Sequence, residues 1–170
     1  MESKIIWFTG LSGSGKTTLS NYISKYLKKK KFRIKKIDGD IFRKKNKVNS
    51  FSRANILKNN LLIINYVDSI KSNYDYLIVS VISPLKKTRL IARQKFGKSY
   101  FEVYTKCSLK ELMKRDTKNL YKKAKMNIIK NLIGFNSKIK YESTNFKKIT
   151  VYTAEETIKV SANKILKKIL

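Results

Sequence analysis

The chain has 170 residues, with 40 Lys and Arg against 11 Asp and Glu for a formal net charge of +29, one cysteine and no histidine. That length suits one domain spanning 1–170 with a real core. The lone Cys107 excludes a disulfide framework, and the lack of histidine removes the commonest general base and leaves metal binding to oxygen ligands. No apolar run is long enough to span a bilayer and the first residues read without a basic-then-apolar leader, so a soluble, cytoplasmic protein without a membrane partner is expected. The lysines are dispersed, with only 28–36 dense, which argues against nucleic acid as the main partner.

Lys4 to Thr9 is an unbroken apolar run and predicts a strand buried on both faces. It leads into Gly10-Leu11-Ser12-Gly13-Ser14-Gly15-Lys16-Thr17, the G-x-x-x-x-G-K-T spacing of a phosphate-binding P-loop. Small residues there let backbone N–H groups surround a nucleotide's terminal phosphates, while Lys16 reaches the β and γ oxygens and Thr17 offers a hydroxyl to Mg²⁺. Leu19, Tyr22, Ile23, Tyr26 and Leu27 then recur at helical spacing, and the N-terminus of that helix points at the same anion. Phe32 to Ile37 reads as a second strand ending at the turn Asp38-Gly39-Asp40, and 41–52 as a polar, basic stretch.

Ile56, Leu57, Leu61, Ile64, Val67 and Ile70 make the inner face of a second long helix. Tyr76 to Ile82 is a third strand closed by Ser83-Pro84, Leu85 to Phe96 a helix with Gly97 as C-cap, and Tyr100 to Thr105 a fourth strand. Ser108 and Glu111 have capping-box spacing at the next helix. A strongly basic segment, about 117–141, predicts a mobile lid. Lys148 to Tyr152 is strand five, and Ile158, Ala162, Ile165, Leu166 and Ile169 mark a closing helix. Alternating strands and helices predict an α/β, doubly wound, five-stranded parallel sheet of P-loop kinase type, with ligands at the carboxyl ends of the strands.

With so few carboxylates, elimination is informative. Asp75 falls at the wrong end of strand three, Glu102 lies inside a strand, and Asp68, Glu111, Glu155 and Glu156 sit on helices away from that rim. Asp38 and Asp40 remain: one orients the acceptor hydroxyl and the other helps hold the metal's water shell, with Asp40 favoured for the first task and the reverse assignment open. Arg43, Arg89, Arg93 and Arg115 are candidates for fixed anion contacts or for ion pairs.

These residues give the chain its likeness to a family. Gly10 to Thr18 reads GLSGSGKTT, Asp38 to Arg43 DGDIFR, Ile82 to Pro84 ISP, Phe101 to Val103 FEV, and Arg115 to Ala124 RDTKNLYKKA. In these stretches the chain resembles the adenylylsulfate kinases, which use MgATP to phosphorylate the ribose 3′-hydroxyl of adenosine 5′-phosphosulfate. The resemblance implies an ATP site on Gly10, Ser12, Gly13, Ser14, Gly15, Lys16, Thr17, Thr18 and Arg115, with Mg²⁺ at Thr17 and Asp38. It implies an acceptor site for a small-molecule nucleotide on Asp40, Arg43, Phe51, Asn55, Ser83, Pro84 and Lys122. The usual GFSxxDRxxN shrinks here to Phe51-Ser52-Arg53-Ala54-Asn55, and the family's base-stacking lid aromatic is Leu132, which Phe135 replaces only by shifting.

A smaller pocket resembles that of the cytidine diphosphoramidate kinases of capsule biosynthesis, narrowly preferred here over true adenylylsulfate kinase. The rivals from other classes are a nucleic-acid-binding P-loop ATPase and a polynucleotide-end kinase. Oligomeric state is left open, with a homodimer among the options.

Overall fold

Residues that are apolar on both faces of an extended chain end up between two helical layers. The computed structural model describes residues 2–47 and 50–170; Met1 and, within the polar stretch 41–52, Val48 and Asn49 lie outside the described residues. In chain order the elements are β1 (Lys4–Thr9), α1 (Lys16–Lys29), β2 (Ile34–Asp38), α2 (Gly39–Lys45), α3 (Arg53–Ile70), β3 (Tyr76–Ser80), α4 (Lys86–Phe96), β4 (Tyr100–Lys106), α5 (Leu109–Arg115), α6 (Leu120–Lys125), β5 (Ile149–Tyr152) and α7 (Ile158–Ile169). The sheet runs β2-β3-β1-β4-β5, and every pairing is parallel.

The alternation of side chains along β1 sorts the two layers. Ile6 and Phe8 face α1 and α7 through Leu19, Ile23, Leu27, Ala162 and Ile165, whereas Ile5 and Trp7 face α3 and α4 through Ile63, Ile64, Val67, Ala92 and Phe96. The sheet is therefore doubly wound, and Thr9, Asp38, Ser80, Lys106 and Tyr152 bring the carboxyl ends of all five strands to one rim. No helix among the described residues is long and apolar enough to cross a membrane.

Three local expectations are corrected. Strand two begins at Ile34, because Lys31 takes a left-handed φ of 63° after α1 and the Phe32 ring turns edge-on to Tyr76 at 5.0 Å. Strand three stops at Ser80, two residues early, where the chain bends toward Ser83 at φ 45°. The stretch after Asp38 opens a helix instead of a loop: the Asp38 carboxylate accepts from the N–H of Asp40 and of Ile41, an N-cap that pattern reading missed. Gly39 is needed for space, since a β-carbon there would stand 2.7 Å from Val81 Cγ2.

Beneath the rim lies a buried ion cluster. Arg89 and Glu102 side chains are 1% and 0% exposed, with Nε 3.4 Å from Oε1, and Arg93 approaches the other carboxylate oxygen at 3.8 Å. Arg89 also donates to the carbonyls of Ser83 and Glu142 and stacks on Tyr141 at 4.6 Å, so it ties the end of β3 to the chain beyond the lid. Burial pushes the Glu102 carboxyl up, against the pull of Arg89 and then Arg93. Arg89 and Arg93 are thus ion-pair partners of Glu102. Removing one member strands a buried charge, so Arg89→Met should destabilise by about 3–5 kcal/mol, and adding Glu102→Gln should restore most of the loss. Thermal melting checks this; an Arg89→Met protein that melts with the parent contradicts it.

Candidate active site

Gly10 ends β1 at φ 138°, and a β-carbon there would lie 2.5 Å from Thr105 Oγ1 and 2.6 Å from the Thr105 carbonyl oxygen. Only glycine lets the loop turn this close to β4. Thr105 fixes the turn by donating to the Thr9 carbonyl at 2.9 Å and pairing with the Ser14 hydroxyl at 2.6 Å. Gly15 is the N-cap of α1 and brings no side-chain cap, so the first N–H groups of α1 are left for an outside acceptor.

Lys16 Nζ lies in the bend of the loop and donates to the carbonyls of Gly10 at 2.9 Å and Leu11 at 2.7 Å. Burial pushes its ammonium down to about 8; Asp40 and then Asp38 pull it up, and Lys118 adds to the depression. A polyphosphate at this point supplies the negative charge that the enclosed ammonium lacks.

The loop walls a cavity of about 220 Å³ lined by Ser12 to Thr18, Asp38, Asp40, Ser80, Val81, Ile82, Arg115, Thr117 and Lys118. Uncapped helix amides, a charged lysine and an arginine fit a nucleoside triphosphate. Among the described residues no three His, Cys, Asp or Glu side chains gather around a metal position. Thr17, Asp38 and Asp40 line this cavity, and Mg²⁺ held there would take most of its ligands from water and phosphate oxygens. Arg115 is held at the mouth by Glu111 at 3.1 Å and the Thr153 carbonyl at 2.6 Å.

A second cleft adjoins the first and shares Asp40, Val81 and Ile82 with it. Arg43, Phe51, Asn55, Ser83 and Pro84 line it together with Gly39, Ser50, Ile56, Asn59, Asn60 and Ile133. The Arg43 guanidinium lies 4.3 Å over the Phe51 ring, and the Asn55 amide donates to Ser50 Oγ at 2.6 Å. The Ser83 hydroxyl is committed elsewhere, donating to Asn60 Oδ1 at 2.6 Å, so it presents backbone instead of hydroxyl to a ligand. Asp38 lines only the loop cavity, whereas Asp40 borders both.

The lid segment is seated over the loop. Tyr121 donates to the Ser12 carbonyl at 2.9 Å, Lys118 pairs with Asp40 at 3.1 Å, and Leu11 packs against Gly134. Three of the expected acceptor residues on this segment lie away from the second cleft. Leu132 is buried in the lid's own cluster with Leu112, Tyr121 and Ala124, and Phe135 stands edge-on to Tyr121 at 5.9 Å, so neither lines the second cleft. Ile133 fills that place instead, packed with Ile56 and Leu85. Lys122 is exposed and lines neither cavity, its backbone N–H spent on Asp116 at 2.8 Å, while Lys118, also exposed, lines the loop cavity. The cause is phase: Asp116 caps α6 and puts Tyr121 and Ala124 inward, which sends 122 and 123 outward.

Sequence reasoning also missed Asn59, Asn60 and Ile133. The signal for the first two was present, because 56, 59, 60, 63, 64 and 67 form one buried stripe of α3 and two of its members are amides.

The model of the adenylylsulphate kinase family matches residues 2–151. An adenylyl-sulfate kinase of Staphylococcus epidermidis is 37% identical over 169 residues, covering 98% of this chain and 83% of the relative. One from a Synechococcus species is 35% identical over 155 residues, covering 90% and 86%. Among solved structures, the Mycobacterium tuberculosis APS kinase CysC in complex with AMPPNP and APS superposes with a TM-score of 0.86 at 27% identity, covering 99% of this chain and 98% of that one.

Proposed function

The chain belongs to the adenylylsulfate kinase family, and from that premise we propose that it transfers the γ-phosphoryl of MgATP to the ribose 3′-hydroxyl of adenosine 5′-phosphosulfate. The observation that carries the reading is the pair of adjoining cavities with Asp40 on their common border. In-line transfer needs donor and acceptor to meet at one boundary, with a carboxylate there to orient the attacking hydroxyl. The loop amides and Lys16 hold the β and γ phosphates, Thr17 and Asp38 serve the Mg²⁺ shell, and Arg115 borders the donor cavity. Mg²⁺ held there would supply positive charge against the negative charge that develops during transfer. On the acceptor side Arg43, Phe51, Asn55 and Pro84 surround the nucleotide, with Ser83 acting through its backbone. Of the basic residues of the lid, Lys118 is the one that borders the donor cavity and serves the transferring group.

One observation favours a second acceptor of the same class. Among the described residues Phe51 is the only aromatic side chain lining the acceptor cleft, and the lid contributes Ile133 to that lining where an aromatic was expected. A base stacked on one face only loses on the order of 1–3 kcal/mol, which suits a smaller base such as that of cytidine diphosphoramidate. The named relatives support the adenylyl compound.

Purified protein with MgATP should phosphorylate adenosine 5′-phosphosulfate with the higher kcat/KM when the two acceptors are compared side by side, the phosphate position being read by NMR. A higher kcat/KM for the cytidine compound transfers the acceptor assignment to it. Turnover of neither, with salt-steep binding to RNA or DNA, returns the nucleic-acid-dependent ATPase.

A further inference from the structure

The amino ends of the strands, remote from the loop rim, carry a concavity of their own. It arises from register: β5 begins at Ile149, opposite Val103, so Tyr100, Phe101 and Glu102 run on past it and have no strand on that side. The gap is walled by the last turns of α7, by Gly97 and Lys98 after α4, and by Lys147 and Lys148 leading into β5. It encloses about 720 Å³, a volume within the roughly 300–1,000 Å³ of small-ligand sites.

The charge around this cavity is one-sided. Seven of its thirteen lining residues are Lys or Arg, brought in from three separate stretches of the chain. Its one carboxylate, Glu102, is already held by Arg89 and Arg93, and Lys164 is paired with Glu156 at 2.6 Å. Among the described residues Lys98, Lys147, Lys148, Lys167 and Lys168 have no ion-pair partner. Lys167 and Lys168 suit the carboxyl end of α7, but Lys98, Lys147 and Lys148 have no helix end to serve. Like charges drawn together from distant segments repel, so the arrangement is neutralised only from outside. The wall also holds unpaired donors: Tyr100 is 6% exposed and its hydroxyl has no hydrogen-bond partner, nor has Arg93 Nε. Buried donors are nearly always paired, and the oxygens of an anion are strong acceptors for both.

We infer that this cavity is a second anion site, distinct from the two cavities of the transfer reaction, and that it takes a linear oligophosphate. A single phosphate meets the lysines of one stretch, whereas a chain of phosphates offers charge to all three and to the Arg93 and Tyr100 donors. That chain comes either free or as the polyphosphate of a nucleotide, whose nucleoside end would lie against Phe101 and Ile149 of the same wall. The inference stands apart from the kinase reading, since this cavity shares no lining residue with either of the other two.

The test is a titration of the whole chain with inorganic triphosphate followed by amide NMR, which reads each cavity separately. Two sets of amides should shift, 10–18 from the loop and 97–102 with 147–150 from this cavity. The second set should saturate with a Kd at least about tenfold below that for orthophosphate at the same ionic strength. Lys147→Glu combined with Lys167→Glu, both at exposed positions outside the transfer cavities, should weaken the second set by at least about tenfold and leave the first as it was. ATP set against triphosphate on the second set separates the two sources: tighter binding of ATP assigns the nucleotide, and equal binding the phosphate chain itself. The inference is overturned by the parent alone if 97–102 and 147–150 show no saturable shift, or if orthophosphate binds there as tightly as triphosphate. Full affinity in the double variant overturns it as well. Absence of the loop set alone strikes the P-loop reading and leaves this site standing.

Discussion

Lys16→Ala is expected to lower kcat/KM for phosphoryl transfer by roughly 10³-fold or more, the scale of losing one preorganised charge at a transferring phosphoryl group. In the free protein Lys16 is bound to the Gly10 and Leu11 carbonyls inside the loop, and burial holds its ammonium down at about 8. Alanine removes those two bonds and also removes a charge enclosed at an energetic cost, so the fold should melt close to the parent temperature. The charge pays back only when phosphates arrive, because Asp40 at 56% exposure and Asp38 attract it more weakly than a polyphosphate in direct contact. Circular dichroism melting and a coupled assay for ADP release separate the two effects. A folded Lys16→Ala protein that keeps most of its turnover would remove the loop from the reaction.

The sheet, its order of layers and the loop were legible because they rest on local or periodic signals. Ile5 to Phe8 is apolar at every position, so a strand covered on both faces follows, and the eight-residue loop motif carries its backbone geometry in its own glycines. The Asp38-Gly39-Asp40 stretch was legible as part of the rim but not as the start of a helix. Asp-Gly reads as a turn, yet an aspartate whose carboxylate caps the next two amides starts a helix, and the choice depends on Gly39 fitting against Val81 across the rim.

The lid was least legible, because which of Lys118 and Lys122 borders the loop cavity, and which of 132 to 135 reaches the cleft, depends on packing between distant segments. Tyr121 on Ser12 and Leu11 under Gly134 set that phase, and neither contact has a periodic trace in the sequence. The arginines divide for a similar reason. Arg115 stays at the cavity mouth, whereas Arg89 is drawn into the core by Glu102, a carboxylate whose position inside a strand had marked it as inert.

Asp40→Asn should lower kcat by about 10²–10⁴-fold, the range for removing a positioned proton acceptor, with little change in the KM for ATP. Asp40 borders both cavities and Asp38 only the donor side, which is why the proposed reaction gives the acceptor hydroxyl to Asp40 and the metal's water shell to Asp38. Asp38→Asn gives the matched comparison, because asparagine caps a helix about as well as aspartate and keeps α2 in place. Its effect should appear as a raised Mg²⁺ requirement, readable from kcat against total magnesium at fixed ATP, with a loss of kcat that excess magnesium reduces.

Lys118 sharpens the distinction, since it pairs with Asp40 at 3.1 Å across a solvent-exposed gap and must release that carboxylate when the acceptor hydroxyl arrives. The exchange is easy because an exposed pair of this kind holds by only about 0–1 kcal/mol, and in the proposed reaction the freed ammonium would serve the transferring group. If Asp40→Asn keeps the parent kcat while Asp38→Asn loses it without magnesium rescue, the two roles are reversed, and the hydroxyl is oriented from the residue that also caps α2.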